Sequence, residues 1–369
     1  MNELHIDKTH WKKYRFDEMV QNIAERVEPS QTDLDVYVGL EHIDPDCLHL
    51  SRHGHPSDVE GTKLCFYKGD IIFGRRRAYQ RKTALATTDG ICSAHAMVVR
   101  AKEDVVDPMF LPFLFHSKSF IDMAITISVG GLSPTINWKD IAKQEFLLPP
   151  KSEQKRLAEL LWAADEVVEK EKREREKMEE LLETDCANTL GQCNNGQYKS
   201  LNQSFIKISD VIAKERFEVG KLETEQYQSQ GKYPIIDQSK TFIAGYSDLD
   251  VLVFKGSLPV IVFGDHTTIV KFVDFPFILG ADGTKIIKAN DEKVTTKFLF
   301  YAIKNLHIIP QCYRRHFSIL KELEIPSFSI EKQNECVSRW DKLEELSYGI
   351  IQQIELSQQI KQELIKKVF

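Results

Sequence analysis

Two stretches of this chain read as long helices that cannot stay solitary. From Phe146 to Gly191 a strand edge passes through Pro149 and Pro150 into a run where Leu157, Leu161, Ala164, Val168, Met178 and Leu182 recur at alternating three- and four-residue steps. That spacing keeps one seam of a helix apolar over several turns while the other faces carry charge. Glu171 and Arg175 continue the spacing but are charged. From Ile325 to Phe369 the pattern returns after Pro326, with Cys336, Trp340, Leu343, Ile350, Ile354, Leu364 and Val368 on the seam and Ser347, Ser357 and Lys361 at its weaker positions. Each stripe needs a partner, and the other supplies it. For the chain to return, the two helices must run antiparallel.

Each helix follows a globular stretch of similar size, so the chain reads as an internal repeat far longer than any solenoid unit. The expected division is residues 1–148, a helix at 149–191, a second globular part at 200–326 and a second helix at 327–369, in an α+β fold with a pseudo-two-fold repeat. In the first part, strands are expected at Asp35–Ile43, within Phe66–Arg77 with a turn at Lys68–Asp70 and an end at Gly74, and at Cys92–Arg100, and a helix at Pro108–Phe120. In the second, Val260–Gly264, Lys285–Lys288 and Thr296–Ile303 take the corresponding places. The stretch GQCNNGQYKSLNQS reads as a polar linker. At about 1.5 Å per residue, helices of this size are expected to hold the two parts on the order of 50 Å apart.

Composition excludes several classes. With 42% hydrophobic and 28% charged residues the chain is ordinary for a globular protein. No apolar run is long enough to span a bilayer and the N-terminus lacks a signal-peptide core, which points to the cytoplasm. Seven scattered cysteines, with no Cys-x-x-Cys pair, point to reduced thiols. No phosphate-binding Gly-x-x-x-x-Gly-Lys-Ser/Thr loop occurs, nor an Asn-Pro-Pro-Phe/Tyr tetrapeptide of the kind that holds a flipped base, nor a convincing nuclease arrangement. The chain reads as one that binds and does not catalyse.

The net charge of −6 hides a segregation: the acids crowd the helices, whereas the region around residues 63–102 is basic. There Arg75, Arg76, Arg77, Tyr79, Gln80, Arg81 and Lys82 form the strongest candidate cluster. Arg bridges guanine and Gln bridges adenine bidentately, and Lys neutralises phosphate; the bland reading is a solvated basic loop. Arg52 and His53, beside His49 and His55, make a second polar loop, with a zinc site as the weaker alternative because no further ligand lies nearby in sequence. In the second part the candidates are His266, Thr267, Thr268, Lys271, Lys285, Tyr313, Arg314, Arg315 and His316. Gly264 and Gly283 would admit a phosphate to the backbone. For His266 the alternative is a turn residue bonded to Asp265, and for Arg314 and Arg315 plain surface charge.

GGLSPTINWKDI, then FLLPPKSEQKRLAELL, then a charged helix, a second domain and a second helix resembles the specificity subunit of Type I restriction-modification systems, over essentially the whole chain. GDIIFGRRRAYQRKTALATTDGICS and PVIVFGDHTTIVKFVDFPFILGADGTKII are similar to recurrent recognition-domain sequences. The second Pro-x-x-Glu-Gln element departs from the pattern, leaving the register of the second helix open. The resemblance implies two target recognition domains, each reading half of a bipartite duplex target. It also implies two methyltransferase subunits that bring S-adenosylmethionine and flip an adenine, and two restriction subunits using ATP and Mg; this chain itself would hold no cofactor. Rival readings are a self-contained methyltransferase or nuclease, and a coiled-coil scaffold that leaves DNA alone.

Overall fold

The computed structural model describes residues 6–198, 204–214, 217, 220–280, 283–311 and 314–369. It divides into two compact units, Met1–Lys172 with Gln352–Phe369, and Arg173–Ile351. Both long helices form: α1 spans Lys151–Leu190 and α2 spans Ile330–Val368, and each contributes to both units.

In the first unit the chain enters on Lys12–Arg15 and leaves on Glu145–Leu148, and these two strands pair antiparallel, Lys12 opposite Leu148. Pro149 and Pro150 end the ladder, because proline has no N–H to donate, and α1 begins at once. One four-stranded sheet has the order Val20–Ile23, Met97–Ala101, Ile71–Phe73, Thr83–Leu85; another has the order Arg26–Val27, Lys63–Phe66, Gly90–Cys92, Tyr37–Val38. The single strand expected over Cys92–Arg100 is therefore two strands in two sheets, broken by the Ser93–Ala96 turn. The strand expected over Asp35–Ile43 shrinks to Tyr37–Val38 before a short 3-10 turn. The helix expected over Pro108–Phe120 splits at Ser117, whose hydroxyl caps the second piece through the Phe120 N–H. Phe16, Phe73, Phe115, Phe120 and Phe146 pack ring against ring in the core. Leu157 and Leu161 of α1, with Ile365 and Val368 of α2, close that core from the helix side, so the start of α1 meets the end of α2. Ile365 is buried there in place of the expected Leu364, which packs at the edge.

The second unit repeats the entry and exit: Phe205–Lys207 pairs antiparallel with Glu324–Pro326, which leads to α2. Val260–Gly264 sits between Val270–Val273 and Thr284–Ile287, as Ile71–Phe73 sits between Thr83–Leu85 and Met97–Ala101. The stretch read as a linker instead forms a hairpin at its start, Cys193–Asn194 with Gln197–Tyr198. Asn195 and Gly196 both take positive φ there, the Asn-Gly turn that two-residue hairpins favour.

A buried glutamine fixes the helix register in each unit. Gln154 donates to the Pro149 and Val105 carbonyls and accepts from the Asp107 N–H. Gln333 donates to the Phe328 and Lys293 carbonyls and accepts from the Thr295 N–H. The departure of the second element from the first is thus confined to the residues before Gln333. Its register is settled: Leu157 corresponds to Cys336, and Leu161 to Trp340.

Candidate nucleic-acid interface

In the first unit, Gly74 ends the strand that carries the basic run, and Arg75–Arg77 continue it along a second loop. The Arg77 N–H donates to the Pro134 carbonyl, and the Ile136 N–H to that of Arg75. Arg77 Nε and Nη2 donate to the Ser133 hydroxyl at 3.3 and 3.0 Å. Arg76 Nη1 lies 3.1 Å from Nε2 of His95, whose pKa burial and the two neighbouring arginines hold down, so its ring accepts as the neutral form. Arg75 donates to the Ala94 carbonyl. The 129–135 loop closes on itself through paired bonds between Val129 and Thr135, with Gly130 at positive φ. It presents Leu132 almost fully to solvent, at 97% exposure.

The rest of the cluster divides. Tyr79 is exposed and Gln80 half-buried on a 3-10 turn whose flanking residues, Arg77 and Arg81, both have left-handed backbone. Arg81 and Lys82 turn inward. Arg81 pairs with Asp46 at 2.6 Å and donates to the His116 carbonyl, and Lys82 donates to the Leu40 carbonyl. They hold the turn in place and are spent as surface charge. Arg52 is exposed but paired with Asp44, and His53 is exposed beside the Gly54 carbonyl. Among the described residues no group of three or more His, Cys, Asp or Glu is arranged to hold a metal ion.

His49 has a different task from its neighbours. Its Nε2 lies 2.6 Å from Oδ2 of Asp165 on α1, whose Oδ1 lies 3.0 Å from the ammonium of Lys361 on α2. The hydrogen bond to Asp165 raises the His49 pKa against burial. For Asp165 burial works upward, but the bond to His49 and the Lys361 charge leave its pKa lowered. The seam position read as Ala164 is taken by this buried carboxylate.

In the second unit, residues 265–269 form a tight loop between two strands, with Thr268 at positive φ. His266 is exposed, but its backbone N–H is 3.3 Å from Gln238 Oε1; it does not bond to Asp265. Asp265 is buried instead and holds the start of the His316–Glu322 helix, its carboxylate accepting from the Phe317 N–H and its carbonyl from His316. His316 is likewise buried and structural. Thr267 and Thr268 donate to the Gln238 and Ile308 carbonyls. Lys271, expected at the surface, is buried: its ammonium donates to the Thr241 carbonyl at 2.6 Å and lies 3.7 Å from Asp237. Burial lowers its pKa, with Asp237 opposing. The room beside Gly264 and Gly283 is filled by the chain's own Thr267, Gln238 and His266, so neither glycine opens the backbone to a phosphate. Lys285 is half-buried on its strand, while Arg314 and Arg315 are exposed just before the His316 helix. Tyr313, Ala281 and Asp282 lie outside the described residues.

Residues 11–180 match the Type I restriction modification DNA specificity domain. A curated relative, the EcoDI specificity subunit of Escherichia coli, is 28% identical over 174 residues. Residues 11–180 are thus similar to the specificity domain of Type I restriction-modification systems, over a little less than half of the chain. The EcoDI match covers 46% of this chain and 38% of the relative, so it spans well under half of that protein's length. The fold extends further: the crystal structure of the Type I S subunit from M. genitalium aligns over 99% of this chain and 98% of its own, with 16% identity and a TM-score of 0.62. A chain from a structure of complex assembly and conformational transition of the type I R-M system aligns over 97% of both, at 17% identity and a TM-score of 0.54. These alignments speak for the fold, which in this chain is α+β with two long helices. No helix among the described residues is long and apolar enough to cross a membrane.

Sequence reading found the arginine run but missed what frames it. His95, Ser133 and Leu132 lie far from it in sequence, and only strand pairing brings them alongside. Glycines at 130 and 131 were the available signal.

Proposed function

We propose that this chain is the DNA-reading, non-catalytic subunit of a Type I restriction-modification complex, with each unit reading one half of an asymmetric bipartite target. The observation that carries this is the Arg75–Arg77 segment. Its side chains are anchored to a neutral loop and a neutral histidine, with no carboxylate drawn against them among the described residues. Arginines held by neutral partners keep their charge for phosphate and their fork for base edges. In the second unit Arg314, Arg315 and His266 are the exposed candidates.

The partners that fit are two methyltransferase subunits carrying S-adenosylmethionine and two restriction subunits using ATP and Mg. Two modest half-site affinities multiply when one chain carries both. Methylome sequencing of cells holding the methyltransferase partner, with and without this chain, tests the reading. The expected result is one bipartite adenine motif that disappears with the chain. Methylation or cleavage by the purified chain alone would instead establish an enzyme. Matched insertions in α1 and α2 are expected to lengthen the spacer between half-sites and to leave both half-site sequences alone.

A further inference from the structure

A recess of about 250 Å³ opens in the first unit between the ends of its two four-stranded sheets. Its wall includes Asn22, Arg26, Thr62, Lys63, Arg75 and Trp138, and no carboxylate among the described residues. Three cations facing one cavity repel one another unless something negative joins them.

Their remaining hydrogen-bond capacity points the same way. Arg75 is fixed by its bond to the Ala94 carbonyl, yet its fully buried Nε–H has no acceptor among the described residues. Lys63 gives two of its three N–H bonds to the Glu60 and Gly61 carbonyls, which leaves one to offer. The Arg26 backbone pairs with Leu64, but its exposed guanidinium makes no hydrogen bond or ion pair among the described residues. Of the two acids near it in sequence, Glu25 accepts from the Tyr67 hydroxyl, and Glu28 from the hydroxyl of Thr62 on the recess wall. Unused donors in a cationic recess call for an oxyanion with several acceptor oxygens. Because Arg75 belongs both to the recess and to the arginine segment, an anion held there is continuous with that surface.

We propose that this recess binds a backbone phosphodiester of the target duplex next to the first half-site, with Arg26 and Lys63 as its principal ligands and the indole of Trp138 as an apolar wall for the attached sugar. The assignment rests on the DNA-reading role above. It adds two residues that position the duplex and carry no base information.

The test uses the complete complex with its methyltransferase partner and a labelled target duplex, followed by fluorescence anisotropy from about 50 to 200 mM salt. R26A/K63M is expected to weaken binding about tenfold and to lower the slope of log affinity against log salt by about 1 to 2. The methylated motif should stay unchanged, and the charge-keeping R26K/K63R should restore most of the affinity. A double variant with wild-type slope overturns the proposal, as does one that changes the methylated bases. Thermal stabilisation of the wild type by inorganic phosphate, lost in R26A/K63M while the DNA slope stays put, would assign the recess to a free anion and overturn it too. If the wild-type complex binds no duplex, the DNA-reading role falls first, a result distinct from failure of the recess alone.

Discussion

The two units hold the same pair of helices by opposite means. In the first, Asp165 of α1 is buried between Lys361 of α2 and His49 of the globular part, with Lys361 only 5% exposed. In the second, Asp185 of α1 receives Arg339 and the Trp340 indole N–H, both from α2, at 2.7 Å each, but the Arg339–Asp185 pair stays open to solvent. Apolar packing takes over there: Trp340, Cys336, Cys186 and Leu190 lie in one core. A buried charge binds only a partner that satisfies it, so the first unit dictates a register where the second supplies area.

The sharpest test of that contrast is to remove the α2 cation in each unit. K361M leaves Asp165 buried with His49 alone, and unpaired buried charges cost about 3 kcal/mol or more. R339M breaks a solvent-exposed pair, worth about 1 kcal/mol or less. Urea denaturation of the two variants should therefore separate them by at least about 2 kcal/mol; equal losses would erase the distinction. The Ser357 hydroxyl, donating to Glu171 at 3.1 Å, marks the same antiparallel register within the first unit.

Where the units agree, substitutions should agree. Q154A and Q333A each strip one acceptor and two donors from buried backbone groups in the same geometry. Each is expected to cost about 2 kcal/mol. Limited proteolysis should report loosening at 103–107 in one variant and at 293–295 in the other. A loss in one and none in the other would make the repeat merely topological.

This equivalence shows what the sequence revealed and what it hid. The helices were legible because a seam at three-four spacing is a local pattern; the structure moved their ends by only a few residues. Gln333 was visible too, but its role was not, since it bonds to carbonyls 5 and 40 residues away. The candidate sites fared according to what their partners are and how deeply they bury the side chain, neither of which is local in sequence. Arg77 is exposed and Arg75 and Arg76 half-buried, whereas Arg81 and Lys271 are claimed by Asp46 and Thr241, contacts that only the folded sheets create. The Asn-Gly hairpin at 195–196 was readable, and was hidden only by the polar residues around it.

On the DNA side, the proposed pairing of one unit with one half-site predicts separable losses. R76A/R77A should weaken binding of the complete complex by about 1–3 kcal/mol per lost base contact and relax one half of the methylated motif. R314A/R315A should act on the other half only. Relaxation of both halves by either variant would break the assignment.

The smallest effect is a pH dependence confined to the first unit, and there two histidines oppose each other. The folded pKa of His49 is raised, chiefly by its bond to Asp165, so its contribution is complete below about 6.5 and fades as pH rises through the folded value. His116 is fully buried, and burial followed by the Lys361 charge lowers it to about 4. Folding therefore favours its neutral form, and stability is lost as pH falls below about 6.5. Between pH 7 and 6 that loss amounts to about 0.5–1 kcal/mol. H116F should flatten the acid side of the stability profile and leave the alkaline side alone, and H49Q should do the reverse. Because the second unit lacks a histidine bonded to its helix aspartate among the described residues, the alkaline-side change should appear in probes of the first core and be absent near Trp340. An alkaline-side change shared by both probes would mean that Asp165 and Asp185 anchor the helices in the same way after all.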